Sequence, residues 1–123
     1  MLAAGLRCDG PLEAAPGQPF TLKAGQTASI TSEKVTVTFI AVSEDSRCPK
    51  GEQCITAGNA RVLLEVAAGS AAPARIEFNL GRGASEAVVG TLEVTLVGLE
   101  PYPVAGRSIP AENYLASLSV RRR

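Results

Sequence analysis

The sequence predicts an all-β fold, an antiparallel immunoglobulin-like sandwich of about seven strands with one disulfide-braced loop. Three observations favour this fold. Short runs of alternating apolar and polar residues recur along the chain, and segments rich in glycine, proline and serine separate them. No run of helical length has a periodicity of about 3.6 residues. The 123 residues suit one domain, which buries roughly two-thirds of the surface that the unfolded chain exposes.

The N-terminal segment 1–19 is predicted to be an extended leader or linker, and 20–123 to be the sandwich domain. Residues 9–19 are dense in proline and glycine. The first residues are too few for the apolar core of a signal peptide, and Arg7 lies on the wrong side of them. The sequence therefore indicates a lost or altered leader, with a disordered tail as the alternative.

Cys8 is the cysteine in this leader. It stands where a lipid-anchored cysteine would follow a processed signal, but Arg7 replaces the small residue usual before such a cysteine. The chain has three cysteines, so at least one is unpaired, modified or bridged to another molecule. Cys8 is therefore a candidate lipid anchor or intermolecular thiol, with an incidental thiol in a tail as the alternative.

The first three strands are predicted between residues 20 and 43. Two short edge elements come first, over 20–22 and 28–30. The clearest strand covers 34–43, where alternate apolar residues share one face: Val35, Val37, Phe39 and Ala41. From Phe39 onward both faces are apolar, which indicates burial on both sides or a β-bulge.

Four further strands follow, over 60–68, 75–80, 91–99 and 114–120. A loop is expected over 81–90. If successive strands run antiparallel, the loops 44–58 and 81–90 lie at one end of the sandwich, and the connections 69–73 and 100–113 lie at the other. Because sites on such scaffolds lie on loops, one end is expected to be functional.

The segment 44–58 places Cys48 and Cys54 six residues apart between two predicted strands. Residues 49–51, Pro-Lys-Gly, favour a turn, so the two cysteines can approach to disulfide distance. Such a bridge stabilises the fold by about 2.4 kcal/mol in the chain-entropy model. Persistent disulfides form in oxidising compartments, so the chain is expected to be extracytoplasmic, that is, periplasmic, secreted or cell-surface. Two buried free cysteines in a cytosolic protein are the alternative.

The composition disfavours several classes of function. Twelve basic and twelve acidic residues cancel, so no net positive field indicates nucleic acid or an anionic membrane as a partner. The chain has no histidine, which rules out a Ser-His-Asp triad and removes the commonest general base. A zinc site would lack half of its ligands, and the cysteine spacing differs from the Cys-X-X-Cys of redox catalysts. No apolar run reaches the roughly 18 residues of a transmembrane span.

The charged residues of the loop allow two interpretations. Glu44, Asp45 and Glu52 could together bind a hard cation such as calcium, or act as an acid/base pair. However, the loop lacks the alternating Asp/Asn ladder of calcium sites, and the intervening Arg47 and Lys50 favour salt bridges. We expect Asp45 to accept backbone amides of the loop and Arg47 to reach a carbonyl or carboxylate. No cofactor and no metal are predicted.

A short proline-rich stretch follows the strand predicted over 91–99. Pro101-Tyr102-Pro103 favours a polyproline-like conformation that presents one aromatic ring. The ring is expected either to dock a partner or to cover a sheet edge.

The cysteine motif of this loop resembles a motif found in a known group of proteins. Asp45-Ser46-Arg47-Cys48-Pro49, then Cys54, then Ala57-Gly58 leading into a strand, resembles a recurring motif of small bacterial secreted and lipoprotein-like proteins of unassigned function. The resemblance covers roughly residues 20–121 and implies an exported β-sandwich with a Cys48–Cys54 disulfide. It implies no catalytic residues. Members often have an aromatic residue near Thr56, so a surface built by that ring is missing here.

Three function classes follow. The favoured one is a non-catalytic extracytoplasmic binding or accessory module that contacts another protein or a cell-surface component. Its contact residues are predicted in the loops: Asp45, Arg47, Lys50, Glu52 and Arg82. The second is a structural subunit of a bacterial surface assembly, joined by N-terminal strand pairing, and self-association is compatible with either. The third, a metal-assisted hydrolase, would need a carboxylate-lined cleft. A protease inhibitor is a special case of the first.

Overall fold

The chain folds into two β-sheets that enclose one core. The computed structural model describes residues 12–49, 53–55, 58–69, 72–80, 85–104 and 109–122. The strands are β1 (Leu12–Glu13), β2 (Phe20–Lys23), β3 (Thr27–Ile30), β4 (Val35–Asp45), β5 (Ala60–Ala68), β6 (Ala74–Asn79), β7 (Glu86–Val89), β8 (Leu92–Glu100) and β9 (Leu115–Arg122). Within these ranges the helical segments are short 3₁₀ turns, among them Thr31–Glu33 and Ala111–Asn113. The all-β prediction is therefore confirmed.

The strands form one five-stranded and one four-stranded sheet. The first has the order β1-β3-β4-β5-β6, and the second has the order β2-β9-β8-β7. All neighbouring strands are antiparallel except β1, which runs parallel to β3. Eight strands have four residues or more, against the seven expected. The additional strand is β7, which lies inside the segment 81–90 that the sequence assigns to a loop.

Relative to the predicted topology, the extra strand reverses the direction of the two strands that follow it, β8 and β9. With β7 inserted, β8 runs toward the end of the sandwich where β4 ends, and β9 starts there. The connection between β8 and β9 therefore lies beside the cysteine loop, and the expectation that these two segments occupy opposite ends is wrong. β7 is hard to detect because it is four residues long and exposes alternate side chains. We call the shared end the disulfide end; it contains residues 46–49, 53–55, 58–59, 101–104 and 109–114.

The core lies between the sheets and is built from alternate residues of the long strands. Phe39 of β4 and Phe78 of β6 are the largest fully buried side chains. The aliphatic residues around them come from both sheets: Leu22, Ile30, Val35, Val37, Val62, Leu64, Val66, Val94, Leu118 and Val120. Their alternation with polar neighbours is the pattern that burial on one sheet face requires.

Strand β4 contains two irregularities in its pairing with β5, between Phe39 and Ala41 and between Val42 and Glu44. The first confirms the bulge expected after Phe39. It places Val42, rather than Ala41, opposite the buried Val62. The second restores the original alternation, so that Asp45 lies opposite the buried Ala60. Two shifts thus bring a carboxylate to the core side of the strand end.

The described part of the N-terminal segment contacts the domain. Glu13 of β1 pairs with Ser29 of β3, and the Ala14 amide donates to the Ser29 carbonyl at 2.9 Å. The Gly17 amide donates to the Val120 carbonyl at 2.8 Å. Residues 12–19, which the sequence assigns to a leader, therefore follow the surface of the sandwich. In the six ranges given above, no helix is long and apolar enough to cross a membrane.

Candidate functional site

The loop between β4 and β5 is fastened at its base by Ser46 and Asn59. The Ser46 amide donates to the Asn59 carbonyl at 2.6 Å, and the Asn59 amide donates to Ser46 Oγ at 3.0 Å. Asn59 Nδ2 also donates to Asn79 Oδ1 at 3.0 Å, which ties the base to the end of β6. Beyond the base, Cys48 and Cys54 form the predicted disulfide, with 6.0 Å between their Cα atoms.

Gly58 allows the two arms of this loop to approach each other. Its φ is +79°, and a Cβ at this position would clash with the Ser46 carbonyl oxygen. An L side chain meets both a left-handed backbone and a backbone clash here, so only glycine fits without displacement. The glycine at position 58 of the motif thus has a local structural cause.

Arg47 is the buried charge at the disulfide end, with 9% of its surface exposed. Its guanidinium binds Asp45 in a bidentate pair, with Nε donating to Oδ1 and Nη2 to Oδ2, both at 2.8 Å. Nη1 donates to the Leu99 carbonyl at 3.0 Å, and Nη2 donates also to the Pro101 carbonyl at 2.9 Å. Asp45 in turn accepts the Arg47 amide at 3.3 Å. These contacts agree with the expected partners of both residues.

Two tyrosines complete the group. Tyr114, immediately before β9, donates its hydroxyl proton to Asp45 Oδ2 at 2.7 Å. The ring of Tyr102 stacks against Arg47, with 5.0 Å between the ring centroid and Cζ, which is within cation–π range. We call Asp45, Arg47, Tyr102 and Tyr114 the Arg47 cluster. It joins the end of β4 in one sheet to the end of β8 and the start of β9 in the other.

Electrostatics hold the cluster in one protonation state near neutral pH. Burial by itself would raise the pKa of Asp45, but hydrogen bonds from Arg47 and Tyr114 and the charge of Arg47 outweigh it, so the pKa is lowered. Burial opposes the charge of Arg47, yet the Asp45 carboxylate raises the pKa of Arg47. Burial, followed by the hydrogen bond to Asp45 and its charge, raises the pKa of Tyr114 to about 12. Asp45 is therefore ionised and Tyr114 protonated.

Three apolar side chains are exposed in the two segments that meet at the disulfide end. Ile55, next to Cys54, is fully exposed, and Tyr102 and Val104 are 43% and 48% exposed. We call these three residues the apolar rim. Tyr102 also lines an open depression of about 390 Å³, together with Arg47, Gly58, Leu80, Leu99 and Glu100.

The predicted loop residues fall into two groups. Asp45 and Arg47 are brought together as described, whereas Lys50, Glu52, Arg82 and Cys8 lie outside the described residues. Both oxygens of Asp45 already accept hydrogen bonds from Arg47, and one accepts also from Tyr114, which disfavours Asp45 as a calcium ligand. Glu44 lies on the other face and pairs with Arg61 at 3.2 Å. In the described ranges no group of three or more His, Cys, Asp or Glu side chains could hold a metal ion.

Sequence reasoning missed the part of the site that comes from residues 99–114. It singles out Pro101-Tyr102-Pro103 and begins the last strand at residue 114, but without β7 it places the connection 100–113 at the wrong end. The sequence does contain a signal for β7: Ala87 and Val89 alternate with polar or exposed residues just before a Gly-Thr turn. In the structure both side chains pack against the core.

Comparison of the chain with protein-family models, with curated proteins and with solved structures gave no match. The functional interpretation therefore rests on the chemistry of these residues and on their geometry.

Proposed function

We propose that this chain is a non-catalytic extracytoplasmic binding or accessory module that contacts another protein or a cell-surface component through its disulfide end. The observation that carries the proposal is the position of Ile55. Its side chain is fully exposed in a loop that is closed by a disulfide directly beside it. A loop that a covalent brace restrains and that presents a large apolar side chain to solvent suits recognition, because binding residues lie preferentially on loops that a rigid scaffold positions.

The supports beneath the apolar rim favour binding. The Cys48–Cys54 bridge restrains the loop, and the Arg47 cluster fixes the segment that bears Tyr102. A surface that is ordered before binding loses little conformational entropy when it binds, so more of its contact energy remains as affinity. Aromatic residues are also enriched at protein interfaces.

The titration of the cluster favours a module without acid–base catalysis. A general acid or base works best with a pKa near the operating pH. In Asp45 the pKa is lowered and in Tyr114 it is raised to about 12, so both move away from neutrality. The chain has no histidine to take over this role. A metal-assisted hydrolase remains the less supported class.

The compartment and architecture belong to the same proposal. The disulfide supports an oxidising, extracytoplasmic location, because cytosolic thiols are kept reduced. We also propose that the two sheets are an immunoglobulin-like sandwich, and that the motif around Cys48 and Cys54 relates the chain to secreted and lipoprotein-like proteins. Attachment through a lipid on Cys8 would fit that setting.

The structural-subunit alternative has less support. Strand donation from the N-terminus would need β1 and β2 to be available to a neighbour. In the structure β1 pairs with β3, and β2 pairs over four residues with β9 of the same chain. Donation would first have to break this pairing.

The proposal is tested with matched surface variants. Ile55→Asp alters the apolar rim, and Val88→Asp alters an exposed valine on β7, away from the disulfide end. We expect partners captured by the wild-type protein from an envelope or secreted fraction to be retained by V88D and lost by I55D. Thermal melts of both variants check that the fold is intact. Equal capture of every partner by I55D would contradict the proposal.

A further inference from the structure

Strand β6 (Ala74–Asn79) has one unpaired edge in the described part of the chain. Its other edge pairs with β5, and β6 ends the first sheet. Among the four strands at sheet edges it is the longest, with six residues against two in β1 and four in β2 and β7. It contains neither proline nor glycine. Natural proteins shorten, interrupt or cover such edges unless another strand pairs with them.

The sequence of β6 is complementary to itself. When two copies pair antiparallel about Ile76, Arg75 of each lies opposite Glu77 of the other, and Ala74 lies opposite Phe78. If the core faces of both copies stay on one side of a continuous sheet, residues of equal parity must be opposed. Centring the pair on Arg75 or on Glu77 would oppose two like charges. Only the register about Ile76 opposes unlike charges.

The charges already on this sheet face favour that register. Glu44 of β4, Arg61 of β5 and Glu77 of β6 form a row, with 3.2 Å from Arg61 Nη2 to Glu44 and 2.9 Å from Arg61 Nε to Glu77. Arg61 Nε has no aligned hydrogen bond, so the second contact is an ion pair only. The row has two carboxylates for one guanidinium. Arg75 makes no ion pair with any described residue, although it lies opposite Glu65.

We propose that β6 pairs antiparallel with β6 of a second copy of this chain, centred on Ile76, to form a two-fold symmetric dimer. The pairing joins the two five-stranded sheets into one. Each row Glu44–Arg61–Glu77 then continues to Arg75 of the other copy, which supplies the second cation. The half-buried Ile76 gains its symmetry mate as a neighbour. Pro73 lies opposite Asn79 and ends the ladder because it has no N–H to donate.

The test reverses one charge of β6 and then restores opposite charges across the pair by mixing that variant with a chain reversed at the facing position. In a Cys8→Ser background, which removes a disulfide-linked dimer, sedimentation over a concentration series gives the dimerisation constant. Arg75→Glu places two carboxylates opposite each other at both symmetry-related positions, and we expect dimerisation to weaken roughly tenfold or more. Lys23→Glu, an exposed reversal on the edge strand β2, is the matched control and should leave it unchanged.

Glu77→Arg has the converse effect and should also weaken self-association. An equimolar mixture of R75E and E77R chains opposes Glu to Arg at both positions, so a heterodimer should form as tightly as the wild-type dimer. Arg75→Glu also places a carboxylate opposite Glu65 of its own chain, so a thermal melt checks that R75E is folded before its dimerisation is compared with that of K23E. A folded R75E stays informative if E77R does not fold. A monomer up to the solubility limit, or a dimer that R75E weakens no more than K23E, overturns the proposal. Because β6 is separate from the apolar rim, either result is independent of the function proposed for the disulfide end.

Discussion

Gly58 lies where the chain returning to β5 passes over Ser46. Comparing its substitution with that of Gly17 separates the free-energy cost of a left-handed backbone from that of a steric clash. Gly58 and Gly17 have nearly equal φ angles, +79° and +78°, but a Cβ at Gly17 would have no atom within 4 Å. Gly17→Ala should therefore lose only the backbone preference, about 1 kcal/mol. Gly58→Ala adds a clash with the Ser46 carbonyl, and we expect a further loss of about 1–3 kcal/mol. Urea denaturation of both variants measures the difference; equal losses would show that Ser46 yields freely.

The hydroxyl of Tyr114 makes stability depend on pH at the alkaline end. The pKa of Tyr114 is raised to about 12 from an ordinary value of 10.0. Between these values the unfolded chain releases the proton and the folded chain keeps it, so stability is complete below pH 10 and falls as the pH rises toward 12. Tyr114→Phe removes this dependence.

The measurement compares the free energy of unfolding of wild type and Y114F by urea denaturation at a series of pH values. At neutral pH we expect wild type to be more stable by about 1 kcal/mol, because the variant leaves Asp45 with one hydrogen bond fewer. That advantage should shrink above pH 10, while other ionisations cancel in the difference. An advantage that stays constant up to pH 12 would contradict the raised pKa.

At the scale of elements, the disulfide loop should be a stabilising addition rather than the nucleus of the fold. The base of the loop is held by Ser46 and Asn59 independently of the cysteines. Replacing both Cys48 and Cys54 by serine should therefore lower the free energy of unfolding by about 2.4 kcal/mol and leave the strands in place.

Urea denaturation gives the loss, and far-ultraviolet circular dichroism checks the sheets. Cys8→Ser is the control for thiol removal alone. An unfolded double variant would show that the loop directs folding, and an unchanged stability would show that the bridge does not restrain the unfolded chain. Either result would require a different account of the loop.

The elements differ in how far the sequence could predict them. β5 was predicted with its observed bounds, because Ala60–Ala68 alternates regularly and Gly69 follows it. Glu86–Val89 was missed because four residues with two exposed side chains give little periodicity. The bulges in β4 were indicated by its two apolar faces, but their positions depend on pairing with β5. The Arg47 cluster could not be predicted, since it joins residues about fifty or more positions apart and needs the direction set by β7.

At the scale of the whole molecule, the Arg47 cluster is a buried link between the two sheets. Asp45 and Arg47 belong to the end of β4 in the first sheet, while Leu99 lies in β8 and Tyr114 precedes β9 in the second. We expect such a link to make the disulfide ends of both sheets open together. It also fixes Tyr102 at the end of the molecule where the disulfide loop lies.

Arg47→Met tests this link because it keeps much of the side-chain volume and removes the charge. The variant leaves the carboxylate of Asp45 buried without its cation and two carbonyls without their donor, so we expect a loss of about 3 kcal/mol. Arg121→Met is the matched control: the Arg121 side chain is 67% exposed in its pair with Glu93, and loss of the pair should cost about 1 kcal/mol or less. Hydrogen exchange should show faster opening at the disulfide ends of both β4 and β8 in R47M. If R47M costs no more than R121M, or if only β4 opens faster, the two sheets are not coupled through Arg47.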